Sequence, residues 1–272
     1  MHGLALVNAS DELPVDFGRL ECVAGRLRAE FSSARPWQHI VIDDFLTKAA
    51  ATEAAAAFPP MDPARRRLAW TLGGRSYLGS IGPGEGLIKT IFDALHSRRF
   101  VALLEAITDI DHLEPDRENI GAGFHQGSRG SYLRLHADHN THPNDPASFR
   151  RVNVLLYLNS EWAAEWNGDL ELWDRDARDC KKRIAPLFNR CAIMQVDDSA
   201  FHGYGPLRLP AARTRNALAA YYYAETPAGL QTMVPHPTIL PPLANESRIA
   251  ALAERVRRVL LDRAEKALGI RK

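Results

Sequence analysis

The segment SYLRLHADHNTHPNDPASFRRVNVLLYLN (131–159) sets the architecture. Two short strand-like runs, 131–137 and 152–159, flank a turn-rich loop that contains His142-Pro143-Asn144-Asp145-Pro146. Neither run is long enough for a helix, and both are rich in residues that suit a pleated surface. Working outward, runs of the same kind occur at 121–127, 169–174, 183–188, 191–197 and 217–225, separated by Gly, Asn, Asp and Pro. Seven short strands with turn signals between them predict an antiparallel sandwich or jelly roll. The flanks read differently. Residues 17–31, 47–58 and 86–107 carry helical spacing, with HIVIDDFL (39–46) as a short strand into a turn, and 245–269 return to helix with Asn245 or Ser247 as its cap. The predicted fold is therefore α+β: helical support over 1–119, a β core over 120–226 and a C-terminal helical segment over 227–272, all in one domain.

The bulk properties exclude several classes of function. The chain has 272 residues, is 46% hydrophobic and 25% charged, and balances 34 Lys and Arg against 33 Asp and Glu. Such a chain has no electrostatic reason to seek nucleic acid or an anionic membrane. Its three cysteines form no Cys-x-x-Cys pair, which argues against a disulfide scaffold and a thiolate zinc site. The first residues lack a basic region and a long apolar stretch, so a cytoplasmic location is expected. GPGEGLIKT (82–90) lacks the Gly-Lys-Ser/Thr ending that a phosphate loop requires.

The chemistry lies in the strand region. Alternate side chains of a strand share a face, so His136 and Asp138 project together while Ala137 points away. Alone, that pair reads equally as a hydrogen-bonded His-Asp couple. Far downstream, SAFHGYGPL places His202 after an apolar strand, and Arg215 opens the aromatic strand NALAAYYYAE. Two histidines and a carboxylate can occupy one face of an octahedral metal and leave the other open, the facial arrangement used for non-haem Fe(II).

These elements, in this order, resemble the prolyl-4-hydroxylase-like family of Fe(II)- and 2-oxoglutarate-dependent oxygenases. The resemblance runs over about 120–226: a Leu-x-x-His-x-Asp segment, a Tyr-Leu-Asn strand, a Trp, a Gly-x-Leu-like strand, the distal His and an Arg ahead of aromatic residues. It implies a double-stranded β-helix (jelly-roll) core. It implies His136, Asp138 and His202 as iron ligands, and Arg215 as partner of the distal carboxylate of 2-oxoglutarate, with Tyr157 as second partner. Arg213 is a rival for the arginine role, but Arg215 lies six residues before the Tyr221-Tyr222-Tyr223 cluster, the family-like spacing. Tyr132 and Asn153, by alternation, are further candidates for contact with the co-substrate. The chain departs from the family where Asn216-Ala217 replaces x-Ser after the arginine, and where Asn167-Gly168 replaces Gly-Gly. Related halogenases replace the carboxylate ligand with a small residue; Asp138 therefore points to hydroxylation.

The implied cofactors are Fe(II), 2-oxoglutarate and O₂, with ascorbate as an accessory reductant. The expected reaction is hydroxylation of an unactivated C–H of a small molecule, releasing succinate and CO₂. Hydroxylation of prolyl or other protein residues is the alternative within the enzyme class, and a non-catalytic jelly-roll metal-binding or sensor protein is the alternative outside it. A homo-oligomer is compatible with the sequence. His139 and His142 are expected at the substrate entrance, capping the loop or merely solvated, Trp162, Trp166 and Trp173 in core or rim packing, and Phe124, His125 and Gln126 on the substrate side.

Overall fold

The computed structural model describes residues 13–61, 77–79 (backbone), 86–225 and 234–241. The chain divides into two compact units, Met1–Ile239 and Leu240–Lys272; the helix expected at 245–269 lies outside the described residues. Within the first unit the apolar spacing of the front third gives, among the described residues, five helices: α1 (Phe17–Cys22), α2 (Ala24–Ser33), α3 (Lys48–Ala56), α4 (Leu87–Leu95) and α5 (Arg98–Thr108). The single helix expected over 17–31 is broken at Val23, whose N–H bonds to the Leu20 carbonyl instead of continuing the ladder. Caps fix the starts: Asp16 accepts from the Arg19 N–H, Thr47 from Ala50 and Ser97 from Phe100. No helix among the described residues is long and apolar enough to cross a membrane.

Among the described residues, twelve strands follow the helical signals or interleave with them: β1 (His39–Ile42), β2 (Tyr77–Gly79), β3 (Glu114–Pro115), β4 (Gly123–Gly127), β5 (Leu133–His136), β6 (Thr141–His142), β7 (Asp145–Tyr157), β8 (Leu170–Trp173), β9 (Cys180–Ile184), β10 (Arg190–Gln195), β11 (His202–Tyr204) and β12 (Arg215–Glu225). They form two antiparallel sheets. The larger runs β1-β10-β7-β12-β4-β2, with β3 on β12 and β6 on β7; the smaller runs β5-β11-β8-β9. All seven expected strands are present, with shifted ends. The strand expected at 152–159 begins at Asp145, because 145–151 folds into a hairpin with β6 rather than a free loop. The strand expected at 183–188 ends at Ile184, and β9 starts three residues early at Cys180.

Alternation divides the larger sheet into two chemistries. Val152, Val154 and Leu156 of β7, Leu218, Ala220 and Tyr222 of β12, and Cys191 and Ile193 of β10 pack against the helices in the main core. The Tyr222 hydroxyl also donates to the Leu95 carbonyl at 2.8 Å, tying α4 to the sheet. The opposite face presents Asn153 and Tyr157 of β7, Met194 of β10 and Ala217 of β12. There Tyr157, Met194 and Ala217 meet Leu170, Leu172 and Ile184 of the smaller sheet in a second core. Polar side chains on this inner face are thus shut between two sheets, where each requires a partner or a ligand.

Candidate metal and co-substrate site

His136 ends β5 and His202 opens β11, and the two strands pair so that these residues stand directly opposite each other. Such close pairing needs Gly203. A Cβ there would lie 2.7 Å from the Leu133 carbonyl oxygen and 3.1 Å from the Leu135 nitrogen. Asp138 returns to the His136 side one residue past Ala137. Ala137 is held by Ile239 through reciprocal main-chain hydrogen bonds of 2.9 Å, and Asn140 takes the Val234 carbonyl and the His236 N–H through its amide at 2.9 Å each. The segment 234–239 therefore bonds to residues 137–140, just past β5 and on either side of Asp138.

One ligand atom from each of His136, Asp138 and His202 lies within 4.8 Å of the others, and all three residues are buried. Both imidazoles are oriented from behind. His136 Nδ1 lies 2.8 Å from the Arg134 carbonyl and His202 Nδ1 2.9 Å from the Ala200 carbonyl. A carbonyl only accepts, so each Nδ1 carries a proton there and each Nε2 is turned inward. The Asp138 carboxylate meets them, with Oδ1 3.3 Å from His136 Nε2 and Oδ2 3.6 Å from His202 Nε2. Burial pushes His202 down to about 4, reinforced by His136 and opposed by Asp138, so the ring is neutral at pH 7. Burial would raise the Asp138 carboxyl, but the Arg150 cation beside it outweighs that and holds it well below the ordinary range. Two imidazole nitrogens and one carboxylate, fixed in advance and converging, are a donor set that fits a divalent first-row metal.

A second polar centre lies around Arg215, which is 5% exposed. Its Nε donates to the Gly168 carbonyl at 2.8 Å and its Nη2 to the Tyr157 hydroxyl at 3.3 Å, with the guanidinium 4.2 Å from the Tyr204 ring centroid. Gly168 has φ +88°, and a Cβ there would come within 2.2 Å of Leu207; the Asn167-Gly168 turn thus holds Arg215 as well as turning the chain. The remaining guanidinium donors suit a planar carboxylate. Arg213, the rival, is exposed and paired with Glu161.

The other expected residues separate by strand alternation. Asn153 faces inward, and both ends of its amide are engaged, one with Asp138 and the other with Arg150. Tyr132 and Arg134 are half-buried, before and within β5. Of Phe124, His125 and Gln126, only His125 lies on the inner face, where it feels Arg150, Arg215 and Asp138 and is pushed down to about 4, chiefly by burial. Phe124 meets Phe58 edge to face, and Gln126 donates to the Pro59 carbonyl. His142 sits 3.5 Å from Asp116 and edge-on to Tyr223, bracing the β6 hairpin. Trp162 and Trp166 pack edge to face. Sequence reasoning missed Arg150 altogether: it lies in the polar start of β7, which reads as loop, and only the Phe149-Arg150 alternation with Val152 and Val154 could have signalled a strand.

Residues 122–223 match the family described as the 2OG-Fe(II) oxygenase superfamily. This segment is a 2OG-Fe(II) oxygenase core. All three clustered residues, Tyr157 and Arg215 fall inside it. Oxygenases of this superfamily work with Fe(II), 2-oxoglutarate and O₂, and the matched segment carries the clustered His136, Asp138 and His202. Solved structures share the fold of this oxygenase. A prolyl-4-hydroxylase from Pseudomonas putida aligns with TM-score 0.51 at 16% identity, covering 75% of this chain and 100% of its own. A prolyl hydroxylase from Trichoplax adhaerens, in complex with a hypoxia inducible factor peptide, aligns with TM-score 0.51 at 17% identity over 76% and 91%. A 2OG-Fe(II) oxygenase family oxidoreductase from Burkholderia pseudomallei aligns with TM-score 0.50 at 13% identity over 74% and 89%. No curated protein matches the sequence.

Proposed function

We propose that this chain hydroxylates an unactivated C–H of a small molecule, with His136, Asp138 and His202 holding Fe(II) and with Arg215 and Tyr157 holding the distal carboxylate of 2-oxoglutarate. The observation that carries the reading is the pair of inward Nε2 atoms facing one carboxylate, on the same inner face as the buried guanidinium of Arg215. In this reading the two sheets are the halves of a double-stranded β-helix. Fe(II) with 2-oxoglutarate and O₂ supplies the oxidising power, through oxidative decarboxylation to succinate and CO₂. The protein supplies the rest. The Arg134 and Ala200 carbonyls turn the ligating nitrogens inward, Gly168 and Tyr204 fix the plane of the Arg215 fork, and burial between the sheets excludes water and strengthens the ionic contacts.

The small-molecule assignment is supported by the occupied main chain just past β5. An extended peptide could add to a free strand edge beside the ligands, but the Ala137 main chain is already bonded to Ile239. Three free cysteines, at Cys22, Cys180 and Cys191, are compatible with a reducing cytoplasm.

The test has two parts. Under anaerobic conditions, Fe(II) with 2-oxoglutarate should give a visible charge-transfer band that is lost in His136→Ala. In air, succinate formation should be stimulated by a small-metabolite fraction, with Asp138→Ala as blank. Stimulation by peptides alone would transfer the assignment to a protein-residue hydroxylase, and an absent band would overturn the oxygenase roles given to these residues.

A further inference from the structure

Arg150 is 2% exposed, and its contacts converge on one carboxylate. Its Nη2 lies 3.2 Å from Asp138 Oδ2, and its Nε donates to Asn153 Oδ1 at 2.7 Å. The Asn153 Nδ2 donates in turn to the same Asp138 Oδ2, also at 2.7 Å. The guanidinium carbon lies 3.3 Å from the Tyr221 ring centroid, and the Tyr221 hydroxyl is anchored on the Gly121 carbonyl at 2.9 Å. The cation is therefore held on its face as well as at its edge.

The direction of the chain of bonds is forced. An arginine Nε can only donate, so the Asn153 oxygen must face it and the Asn153 NH₂ must face Asp138. Oδ2 thereby receives the Asn153 hydrogen bond and an ion-pair contact from the Arg150 cation. Oδ1 receives neither and faces His136 Nε2 at 3.3 Å. We infer that Arg150, acting directly and through Asn153, is a positioning residue that reserves Oδ2 of Asp138 and leaves Oδ1 as the single metal-ligating oxygen.

The consequence is a coordination count. A carboxylate that chelates through both oxygens takes two positions of an octahedral metal, and two imidazoles take two more. Only two would remain for a bidentate co-substrate and O₂, which need three. Arg150 would thus protect the open face rather than the metal affinity.

The inference rests on the proposed metal site, and the experiment separates the two. Purified protein is titrated anaerobically with Co(II), whose ligand-field bands report coordination number, and then with 2-oxoglutarate. Wild type, Arg150→Leu, Arg150→Lys and Asn153→Leu are compared. Arg150→Leu and Asn153→Leu should bind Co(II) at least as tightly as wild type, with altered bands, and should bind 2-oxoglutarate ten-fold or more weakly. Arg150→Lys should recover part of that loss. A wild type that binds no Co(II) overturns the metal-site reading itself. Wild-type bands and wild-type 2-oxoglutarate affinity in Arg150→Leu, or in Asn153→Leu should the former not fold, overturn the positioning role. So does loss of Co(II) and 2-oxoglutarate together, because a merely structural residue would weaken both.

Discussion

Replacing Gly203 by alanine tests whether the metal site depends on strand spacing. The added methyl would meet the Leu133 carbonyl oxygen at 2.7 Å, the Leu135 nitrogen at 3.1 Å and the Arg134 carbonyl carbon at 3.2 Å. All three are main-chain atoms of β5, so no side chain can rotate away. Restoring ordinary contact, which begins at 3.4 Å, means opening the β5–β11 pair by roughly 0.5–1 Å, in line with the backbone shifts that overpacking produces. Overpacking of this kind costs about 1–3 kcal/mol of stability. Because His136 and His202 face each other across this pair, the opening also separates two ligands, and misdirected ligands typically lose about 10–100-fold in metal affinity. The assay is urea unfolding of the metal-free protein together with anaerobic Co(II) titration. Gly25→Ala in α2 is the control: nothing lies within 4 Å of its added methyl, so it should gain ~0.5–1 kcal/mol as a helical Gly-to-Ala change and leave Co(II) binding untouched. A Gly203→Ala protein with wild-type stability and wild-type Co(II) affinity would refute the claim that glycine sets the ligand spacing.

Arg215→Met should weaken 2-oxoglutarate binding by roughly 10–100-fold, the worth of hydrogen bonds to a charged group, while Co(II) affinity stays within about two-fold; calorimetric titration reads both. Gly168→Ala should lose ~2–4 kcal/mol in denaturant unfolding, since it combines φ +88° with a 2.2 Å clash on Leu207, and should loosen Arg215 enough to lower 2-oxoglutarate affinity as well. His125 has its pKa depressed from 6.5 to about 4 by burial, so the unfolded chain binds its proton first as pH falls. Stability from this group is present in full above pH 6.5 and is lost as pH drops toward 4, by up to ~3 kcal/mol. His125→Gln should flatten that part of the pH–stability curve, and an unchanged slope would show that His125 is not the buried neutral group described. Asn159→Ala should cost about 2 kcal/mol by unfolding, because the Asn159 amide bridges the Pro186 carbonyl and the Asn216 N–H, both at 2.7 Å.

The parts of this molecule that were readable in the sequence are those with local causes. Strand alternation put His136 and Asp138 on one side, and turn residues marked the limits of most strands. The aromatic run after Arg215 distinguished it from Arg213, which lies exposed against Glu161. What stayed hidden depends on pairing between distant segments. β11 is three residues long and has no period to detect. The start of β7 is polar because it forms a half-exposed hairpin, so Arg150 reads as a loop cation, although the fold buries it against Tyr221 and Asp138. Asn153 was visible as an inward residue, but its partner could not be known without that burial. The inward turn of His125, between two outward neighbours, follows from a register that the sequence alone does not state.

The bond between Ala137 and Ile239 has a consequence for how the chain is made. His136, Asp138 and His202 all leave the ribosome before Ile239 does. During that interval the three residues can already converge, but the stretch 137–140 among them still shows unpaired N–H and C=O groups. A nascent chain at this stage is a sticky edge beside a half-built centre, the kind of surface that recruits a neighbouring copy. Delivery of the last few residues of this unit then ends the hazard and completes the centre in one event, so a chain stopped short of residue 239 is expected to aggregate rather than to persist as a weaker version of the same protein.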